Sequence, residues 1–171
     1  MDADGWFHTG DIGILTPEGA LKIVDRKKNI FKLSQGEYIA VEKLEATFKK
    51  AAMVEQVWVY GNSFKSSLVA VVVPLPAALK AWAKENGLPA SASPAELCRD
   101  PRCAQWALDA LTAVGKADKL KGFELVKAVH VEPEAFSVEA DLLTPSFKYK
   151  RPQLQKRYQK EIDAMYKALP A

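Results

Sequence analysis

The most constraining feature of the sequence is the apolar run LVAVVVP at residues 68–74. A helix that spans a membrane needs roughly 20 apolar residues, so this run is too short to cross a bilayer. Its length is that of a buried strand. Residues 56–60, QVWVY, have the same strand character, and Gly61, Asn62 and Ser63 mark a loop after them. We therefore predict strands at residues 56–60 and 68–73 that pair as a hairpin.

Helical patterns surround these two strands. Val41, Leu44 and Phe48 recur at helical spacing, which predicts an amphipathic helix over residues 41–51. Its outward face is expected to carry Glu42, Glu45, Lys49 and Lys50. Further helices are predicted to begin at Pro76, at Asp100-Pro101 and at Arg151-Pro152, with one more strand at residues 123–131. These three helices are expected to bury Leu79, Trp82 and Ala83 in the first, Cys103, Trp106, Ala110 and Val114 in the second, and Leu154, Tyr158, Ile162, Met165 and Leu169 in the third.

The N-terminal segment is punctuated by glycines and has a different character. Two short apolar runs, residues 12–15 and 20–24, flank a turn signal at residues 17–19 and predict a β-hairpin. Because an isolated hairpin is only marginally stable in water, we expect it to need a partner surface. The predicted fold class is α+β, with a short antiparallel or mixed sheet flanked by helices and preceded by this hairpin.

A charged segment follows the predicted hairpin. Residues 25–28, DRKK, show no apolar pattern, so we expect the chain there to be exposed and free to swivel. Gln35-Gly36 is a turn signal, because glycine alone is comfortable at positive φ or in close contact with a ligand. The sequence therefore predicts a moving part at residues 23–39.

Composition and charge narrow the functional classes. Hydrophobic residues make up 49% and charged residues 26% of the chain, which disfavours disorder and membrane spanning. The net charge is +3, but residues 142–171 hold seven Lys or Arg against two acids. That basic segment is either a solvated helix face or a site for an anion such as phosphate. It lacks the aromatic platform of a nucleic-acid site, so we expect no nucleic acid as a partner.

The two cysteines, Cys98 and Cys103, fit neither a metal-binding pattern nor a disulfide framework. Reduced thiols are the better interpretation, and they indicate an intracellular protein. His8 and His130 are interpreted as structural, and Ser34 has no neighbouring base that would make it a nucleophile.

A second candidate site lies just before the last predicted helix. Pro145 and Ser146 favour a turn, which would display Lys148 on a loop at the start of the helix. A lysine on a flexible stem can follow a phosphate or carboxylate oxygen while negative charge moves.

Several separated blocks, taken together, resemble the adenylate-forming enzymes and specifically the long-chain acyl-CoA synthetases. The blocks are WFHTGDIG at residues 6–13, DRKKNIFK at 25–32, QGEY at 35–38, LKGFE at 120–124 and LLTPSFKYKRPQL at 142–154. Their order and their spread over the whole chain make the resemblance stronger than any single motif would.

The resemblance implies roles at the front of the chain. Asp11 matches the carboxylate that accepts hydrogen bonds from the ribose of ATP or AMP, and Arg26 matches an arginine that contacts the same ribose. Lys28 falls at the family's hinge, about which a small C-terminal domain swings. The alternatives are that Asp11 is a turn residue and that Arg26 and Lys28 form an exposed charge cluster.

Further roles concern the two half-reactions of the family. Lys148 matches the lysine that enters the site when a fatty acid attacks Mg-ATP to give acyl-adenylate and diphosphate. Lys32 and Gly36 lie in a loop that moves in for the second step, in which CoA displaces AMP. The glycine would let the pantetheine arm pass closely.

The resemblance also implies a division of the chain. Residues 1–27 match the tail of the family's large AMP-binding domain and residues 28–171 match its C-terminal lid. The phosphate loop, the fatty-acid tunnel and the binding of Mg²⁺ with ATP belong to that large domain, which these residues do not include. We therefore expect a fragment of a long-chain fatty acid–CoA ligase that is inactive alone.

The alternative is a stand-alone, non-enzymatic lid that binds CoA, nucleotide or a protein. In the full-length enzyme the partners would be a long-chain fatty acid, ATP, CoA and the large N-terminal domain in cis. The expected location is the cytosol or the cytosolic face of a membrane such as the endoplasmic reticulum, with peripheral attachment as an open alternative.

Overall fold

The computed structural model describes residues 1–170. Its strands and helices are, in chain order, β1 (Asp11–Leu15), β2 (Leu21–Arg26), β3 (Ile30–Lys32), β4 (Tyr38–Ala40), α1 (Val41–Phe48), β5 (Val54–Tyr60), β6 (Leu68–Pro74), α2 (Pro76–Glu85), α3 (Pro94–Arg99), α4 (Pro101–Ala117), β7 (Val126–Val131), α5 (Arg151–Arg157) and α6 (Gln159–Ala168). Short 3₁₀ turns occupy Lys27–Asn29 and Gly122–Glu124. The architecture is α+β, as predicted.

The main sheet has three strands, with β6 between β5 and β7. Strands β5 and β6 are antiparallel, which confirms the predicted hairpin, whereas β6 and β7 are parallel. A parallel pair needs a long crossover connection, and helices α2, α3 and α4 provide it. Every residue of β6 is buried.

Alternate residues of β6 pack into two separate apolar clusters, because successive side chains of a strand point to opposite faces. Ala70 and Val72 belong to a cluster that contains Phe48 of α1. Val71 belongs to a second cluster, which contains Tyr158 at the junction of α5 and α6. Helices therefore cover both faces of the sheet.

Helix α1 corrects the sequence prediction in two respects. It ends at Phe48 rather than at residue 51, and Glu45 is buried rather than outward-facing. Glu45 follows Val41 by four residues and precedes Phe48 by three, so it shares their inward face. Its charge has a half-buried partner, which is described with the candidate site.

The remaining helices differ from prediction in boundaries and facing. Helix α3 was not predicted, although Ser93 and Glu96 form a capping box at its start. The predicted last helix is broken at Tyr158 into α5 and α6. In α4 the buried residues are Cys103, Ala107, Leu111 and Gly115, whereas Trp106, Ala110 and Val114 are only half-buried. Strand β7 begins at Val126, because residues 122–124 form a 3₁₀ turn.

The predicted N-terminal hairpin is confirmed as an antiparallel pair, β1 and β2, that forms a sheet of its own. Several of its apolar side chains are exposed, namely Ile12, Ile14, Leu15, Leu21 and Ile23. The partner surface that we expect for this hairpin stays a prediction.

Candidate functional site

The hairpin places Asp11 beside Arg26. The two residues are register partners of β1 and β2, and Arg26 Nε lies 3.4 Å from Asp11 Oδ1. The Asp11 side chain is 30% exposed and the Arg26 side chain is 51% exposed. Water therefore screens this ion pair, which adds little stability. Both groups are therefore accessible to a ligand.

The prediction that residues 25–28 are exposed is wrong for Asp25. Its side chain is buried, and its carboxylate accepts hydrogen bonds from the Arg26 backbone N–H at 2.6 Å, from Asn29 Nδ2 at 3.2 Å and from the Glu42 backbone N–H at 3.0 Å. Helix α1 begins after Ala40, which has no side-chain acceptor for the free N–H groups of the first turn. Asp25, which precedes Glu42 by 17 positions, supplies that acceptor.

Lys28 lies in the 3₁₀ turn Lys27–Asn29 and is exposed. Asn29 beside it is buried and donates to Glu42 Oε1 at 2.5 Å. The predicted hinge is thus an exposed lysine pair between two anchored residues, Asp25 and Asn29. The pivoting role of Lys28 stays a prediction.

Lys32 is the last residue of β3, and Gly36 lies in the tight turn that leads from β3 to β4; residues 32–36 are named here the 32–36 turn. Gly36 has φ +97°, a backbone conformation that favours glycine. Lys32 Nζ lies 5.5 Å from the centre of the Tyr38 ring. Backbone and side-chain hydrogen bonds join the turn to residues 65 and 66, with Ser34 N–H donating to the carbonyl of Lys65 and Gln35 Nε2 to that of Ser66.

Lys148 is exposed on the loop at residues 142–150, named here the Lys148 loop. The loop closes on itself, because the Thr144 N–H donates to the Lys148 carbonyl at 2.8 Å and the Lys148 N–H donates to Thr144 Oγ1 at 3.0 Å. An isolated bridge pairs Leu143 with Tyr149. The turn predicted at Pro145 and Ser146 is confirmed.

A buried ion pair beside this loop was missed by the sequence prediction. Arg151 Nη1 and Nη2 donate to Glu45 Oε1 and Oε2 at 2.9 and 2.8 Å. Glu45 Oε1 also accepts from the Val59 N–H at 3.0 Å. Burial raises the pKa of Glu45. Burial lowers the pKa of Arg151, but the hydrogen bonds and charge of Glu45 outweigh it and hold that pKa above its usual value.

An open cleft of about 520 Å³ gathers some of these residues. Its lining includes Arg26, Lys28, Glu42, Glu45, Lys49, Lys148 and Arg151. Three predicted site residues, Arg26, Lys28 and Lys148, therefore meet at one place, and their charges suit an anion. Lys32 and Gly36 are not part of this lining, and the 32–36 turn presents a separate surface.

The other residues weighed from the sequence lie away from the cleft. His8 is exposed and pairs with Asp2 at 2.7 Å. His130 lies on β7, where burial lowers its pKa despite the nearby carboxylates of Glu132 and Glu161. Cys98 and Cys103 carry no disulfide.

Within residues 1–170, no group of three or more His, Cys, Asp or Glu side chains is placed to hold a metal ion. Of the helices that the structure describes, none is long and apolar enough to cross a membrane.

Comparison with known sequences gives matches over almost the whole chain. No protein-family model matches. The chain is 55% identical over 164 residues to long chain acyl-CoA synthetase 3 and 52% identical over 168 residues to long chain acyl-CoA synthetase 4, both of Arabidopsis thaliana. These matches cover 96% and 98% of this chain but 24% and 25% of the relatives. The chain thus spans about a quarter of their length.

Solved structures give the same picture. The adenylation domain of a carboxylate reductase from Mycobacterium chelonae matches with a TM-score of 0.81 and 39% identity over 96% of this chain and 24% of that one. The equivalent domain from Segniliparus rugosus, solved with AMP and a co-purified carboxylic acid, matches with a TM-score of 0.81 and 32% identity over 99% of this chain and 24% of that one.

Proposed function

We propose that this chain, which belongs to the long-chain acyl-CoA synthetases, is the C-terminal portion of such an enzyme and acts as its mobile lid. The reaction joins a long-chain fatty acid to CoA through an acyl-adenylate, with ATP split into AMP and diphosphate. The observation that carries the proposal is the identity of 52–55% over nearly the whole chain. The exposed Lys148 at a cationic cleft supports it.

We assign Lys148 to the adenylation step. Negative charge on the fatty acid carboxylate and on the α-phosphate shifts as the new bond forms, and a positioned ammonium group stabilises it. The exposure of Lys148 and its place beside Arg26 and Lys28 support this role, because all three line the same cleft. Mg²⁺ would arrive with ATP and be held by the large domain.

We assign Asp11 and Arg26 to the ribose of ATP or AMP. A carboxylate has two acceptor oxygens, which suits the two hydroxyls of a ribose. The 3.4 Å approach of Arg26 to Asp11 supports the assignment, because one ligand could reach both side chains. The AMP complex of the Segniliparus rugosus domain is consistent with nucleotide binding by this fold.

Lys28 is proposed as the pivot, with residues 1–27 belonging to the large domain and residues 28–171 to the lid. Rotation at Lys28 moves Asp25 relative to α1, so the hydrogen bond from the Glu42 N–H to Asp25 must break in one of the two poses. The pose described here is the one in which that bond is made.

The second half-reaction is proposed to use the 32–36 turn. Thioester formation brings the thiol of CoA to the acyl-adenylate carbonyl, and AMP leaves. The positive φ of Gly36 and the absence of a side chain there support a surface that a narrow pantetheine arm can approach closely. The separation of this turn from the cleft supports two poses of one lid.

The partners that follow are the fatty acid, ATP, CoA and the large N-terminal domain in the same polypeptide, with no nucleic acid. We propose an intracellular location, either the cytosol or the cytosolic face of a membrane with peripheral attachment. One relative, 51% identical, is named as a peroxisomal enzyme of Arabidopsis thaliana, so a peroxisomal location is a competing outcome. Fluorescence microscopy of a tagged full-length protein distinguishes them.

The test of the proposed function is a reconstitution. The chain is mixed with, or fused to, the part of Arabidopsis thaliana long chain acyl-CoA synthetase 3 that it does not match, and palmitoyl-CoA formation from palmitate, ATP and CoA is measured. We expect activity only when both parts are present, and its loss with Lys148→Ala. Exposed Lys160 provides the matched control, since Lys160→Ala should keep full activity. Activity from the chain alone, or full activity of Lys148→Ala, would overturn the proposal.

A further inference from the structure

The ion pair of Glu45 and Arg151 lies directly behind the Lys148 loop. Arg151 is the first residue of α5 and follows Lys148 by three residues. Glu45 is in α1, and its Oε1 also accepts the Val59 N–H of β5. One buried carboxylate therefore ties the end of the Lys148 loop to a helix and to the main sheet.

The geometry of the pair commits Arg151 to Glu45 in this pose. Both terminal nitrogens of the guanidinium donate to Glu45, at 2.9 and 2.8 Å, in the side-by-side arrangement that Arg and carboxylates favour. The Glu45 side chain is 7% exposed and that of Arg151 is 21% exposed. Although Arg151 lines the cleft, two of its five N–H donors are taken by Glu45, whose carboxylate also offsets its charge there.

The tip of the Lys148 loop is held more weakly than its ends, where Leu142 and Leu143 are buried in the second apolar cluster and Tyr149 packs against that cluster. Its tip is closed by hydrogen bonds between Thr144 and Lys148, and Phe147 at that tip is 77% exposed. At the other end, the Lys150 N–H donates to the Leu142 carbonyl. The Glu45–Arg151 pair is thus the buried, charge-assisted attachment that sets where the loop leaves the domain, and so where Lys148 is presented.

We propose that Glu45 and Arg151 are positioning residues for Lys148, a proposal that rests on the function assigned to Lys148 above. Neither residue touches substrate. The planar guanidinium fork fixes the direction of the chain at Arg151, and a lysine at that position would keep the charge but lose the fork. A misplacement of a catalytic group by about 1 Å can cost roughly 10²-fold in rate.

The experiment uses the chain fused to the unmatched part of Arabidopsis thaliana long chain acyl-CoA synthetase 3. Arg151→Lys and Glu45→Gln are compared with Lys148→Ala and the unaltered chain. The matched control is Arg102→Lys, because Arg102 also forms a two-nitrogen pair with a carboxylate, that of Asp100, but on an exposed surface outside the cleft. Adenylation is followed by ATP–diphosphate exchange with palmitate, and thioester formation is followed from added palmitoyl-adenylate and CoA.

We expect Arg151→Lys and Glu45→Gln to lose roughly 10²-fold in adenylation while thioester formation is kept, with Arg102→Lys unchanged in both. Thioester formation by the same preparation is the control for folding. A parallel loss in both steps would mean a purely structural pair, and no loss in either would mean that Lys148 needs no such support, so each result overturns the inference. If Lys148→Ala itself leaves adenylation intact, the proposed function fails, and the positioning role fails with it.

Discussion

The Lys148 loop and the 32–36 turn both display an exposed lysine, but the protein holds them in different ways. The Lys148 loop leads into Arg151, whose side chain is tied to buried Glu45 by two hydrogen bonds. The 32–36 turn is anchored by Leu33, which is buried in the main apolar cluster, and its exposed part is held by hydrogen bonds to residues 65 and 66, which are themselves on an exposed loop.

The difference agrees with the roles proposed for the two surfaces. A lysine that stabilises charge during bond formation acts only from a fixed place, and the buried pair provides one. A turn past which a flexible arm moves needs open space and a permissive backbone more than rigidity. On those proposed roles, the same small domain would offer a lysine next to a buried carboxylate–guanidinium pair and, separately, an exposed glycine turn.

Of the four substitutions predicted here, Arg151→Ala is expected to lower the free energy of unfolding the most. It leaves Glu45 buried without its partner, and breaking a buried ion pair in this way costs about 3–5 kcal/mol in the free energy of unfolding. Urea denaturation of the purified chain measures it. Arg102→Ala, which breaks an exposed pair with Asp100, should change the midpoint little. Equal effects of the two changes would mean that the Glu45–Arg151 pair stabilises the chain no more than an exposed pair does, and so does not fix the Lys148 loop.

Gly36→Ala should destabilise the 32–36 turn by about 1–2 kcal/mol, because an alanine is strained at φ +97°. The nearest atom to the added Cβ, Lys32 Cε at 3.6 Å, is at ordinary contact distance, so the cost comes from the backbone. Thermal unfolding measures the change. Gly122→Ala serves as the control, since Gly122 has no positive φ and no atom within 4 Å of the added Cβ. A neutral Gly36→Ala would show that the turn relaxes freely.

Tyr149 reports how tightly the Lys148 loop is closed, because burial, with the charge of Glu45, raises the pKa of Tyr149 to about 12. An unfolded tyrosine ionises near pH 10, so Tyr149 favours folding below that pH and loses this contribution as the pH rises toward 12. At pH 11 the loss is about 1.4 kcal/mol. Tyr149→Phe should therefore lose less stability than the unaltered chain between pH 9 and pH 11 in urea denaturation. An identical pH dependence of both would mean that the loop is open to water.

Lys32→Ala should have the smallest effect, at most about 0.5 kcal/mol in the free energy of unfolding. Its ammonium lies over the Tyr38 ring, but both side chains are exposed, so the interaction is weak. Thermal unfolding of the purified chain tests this. A loss as large as that of Arg151→Ala would mean that the 32–36 turn is also a rigid surface.

Much of the fold could be predicted from the sequence because its signals are local. The apolar run of β6, the strand residues of β5 and Pro76 at the start of α2 are each signals that depend on neighbours along the chain. Asp100-Pro101 likewise marked the start of α4, where the Asp100 side chain accepts from the Arg102 N–H. These patterns were enough to predict that the strands and helices exist. The observed boundaries of several elements differ from the predicted ones by a few residues.

The parts that could not be predicted depend on distant contacts. Glu45 and Arg151 are 106 positions apart, and Asp25 reaches Glu42 across 17. Glu45 was predicted to face outward, although its spacing from Val41 and Phe48 was a signal that it shares their apolar face. Nothing local identified its partner. Charged residues were assumed to face water, and burial with a partner overrode that assumption.

The most direct measurement compares the two half-reactions of Lys148→Ala in the fused enzyme. We predict that adenylation of palmitate, followed by ATP–diphosphate exchange, falls by roughly 10²–10³-fold, as when a positioned stabilising group is removed. Thioester formation from added palmitoyl-adenylate and CoA should remain near that of the unaltered chain. An equal loss in both steps, or no loss in adenylation, would contradict the account of a lid whose two surfaces serve separate steps.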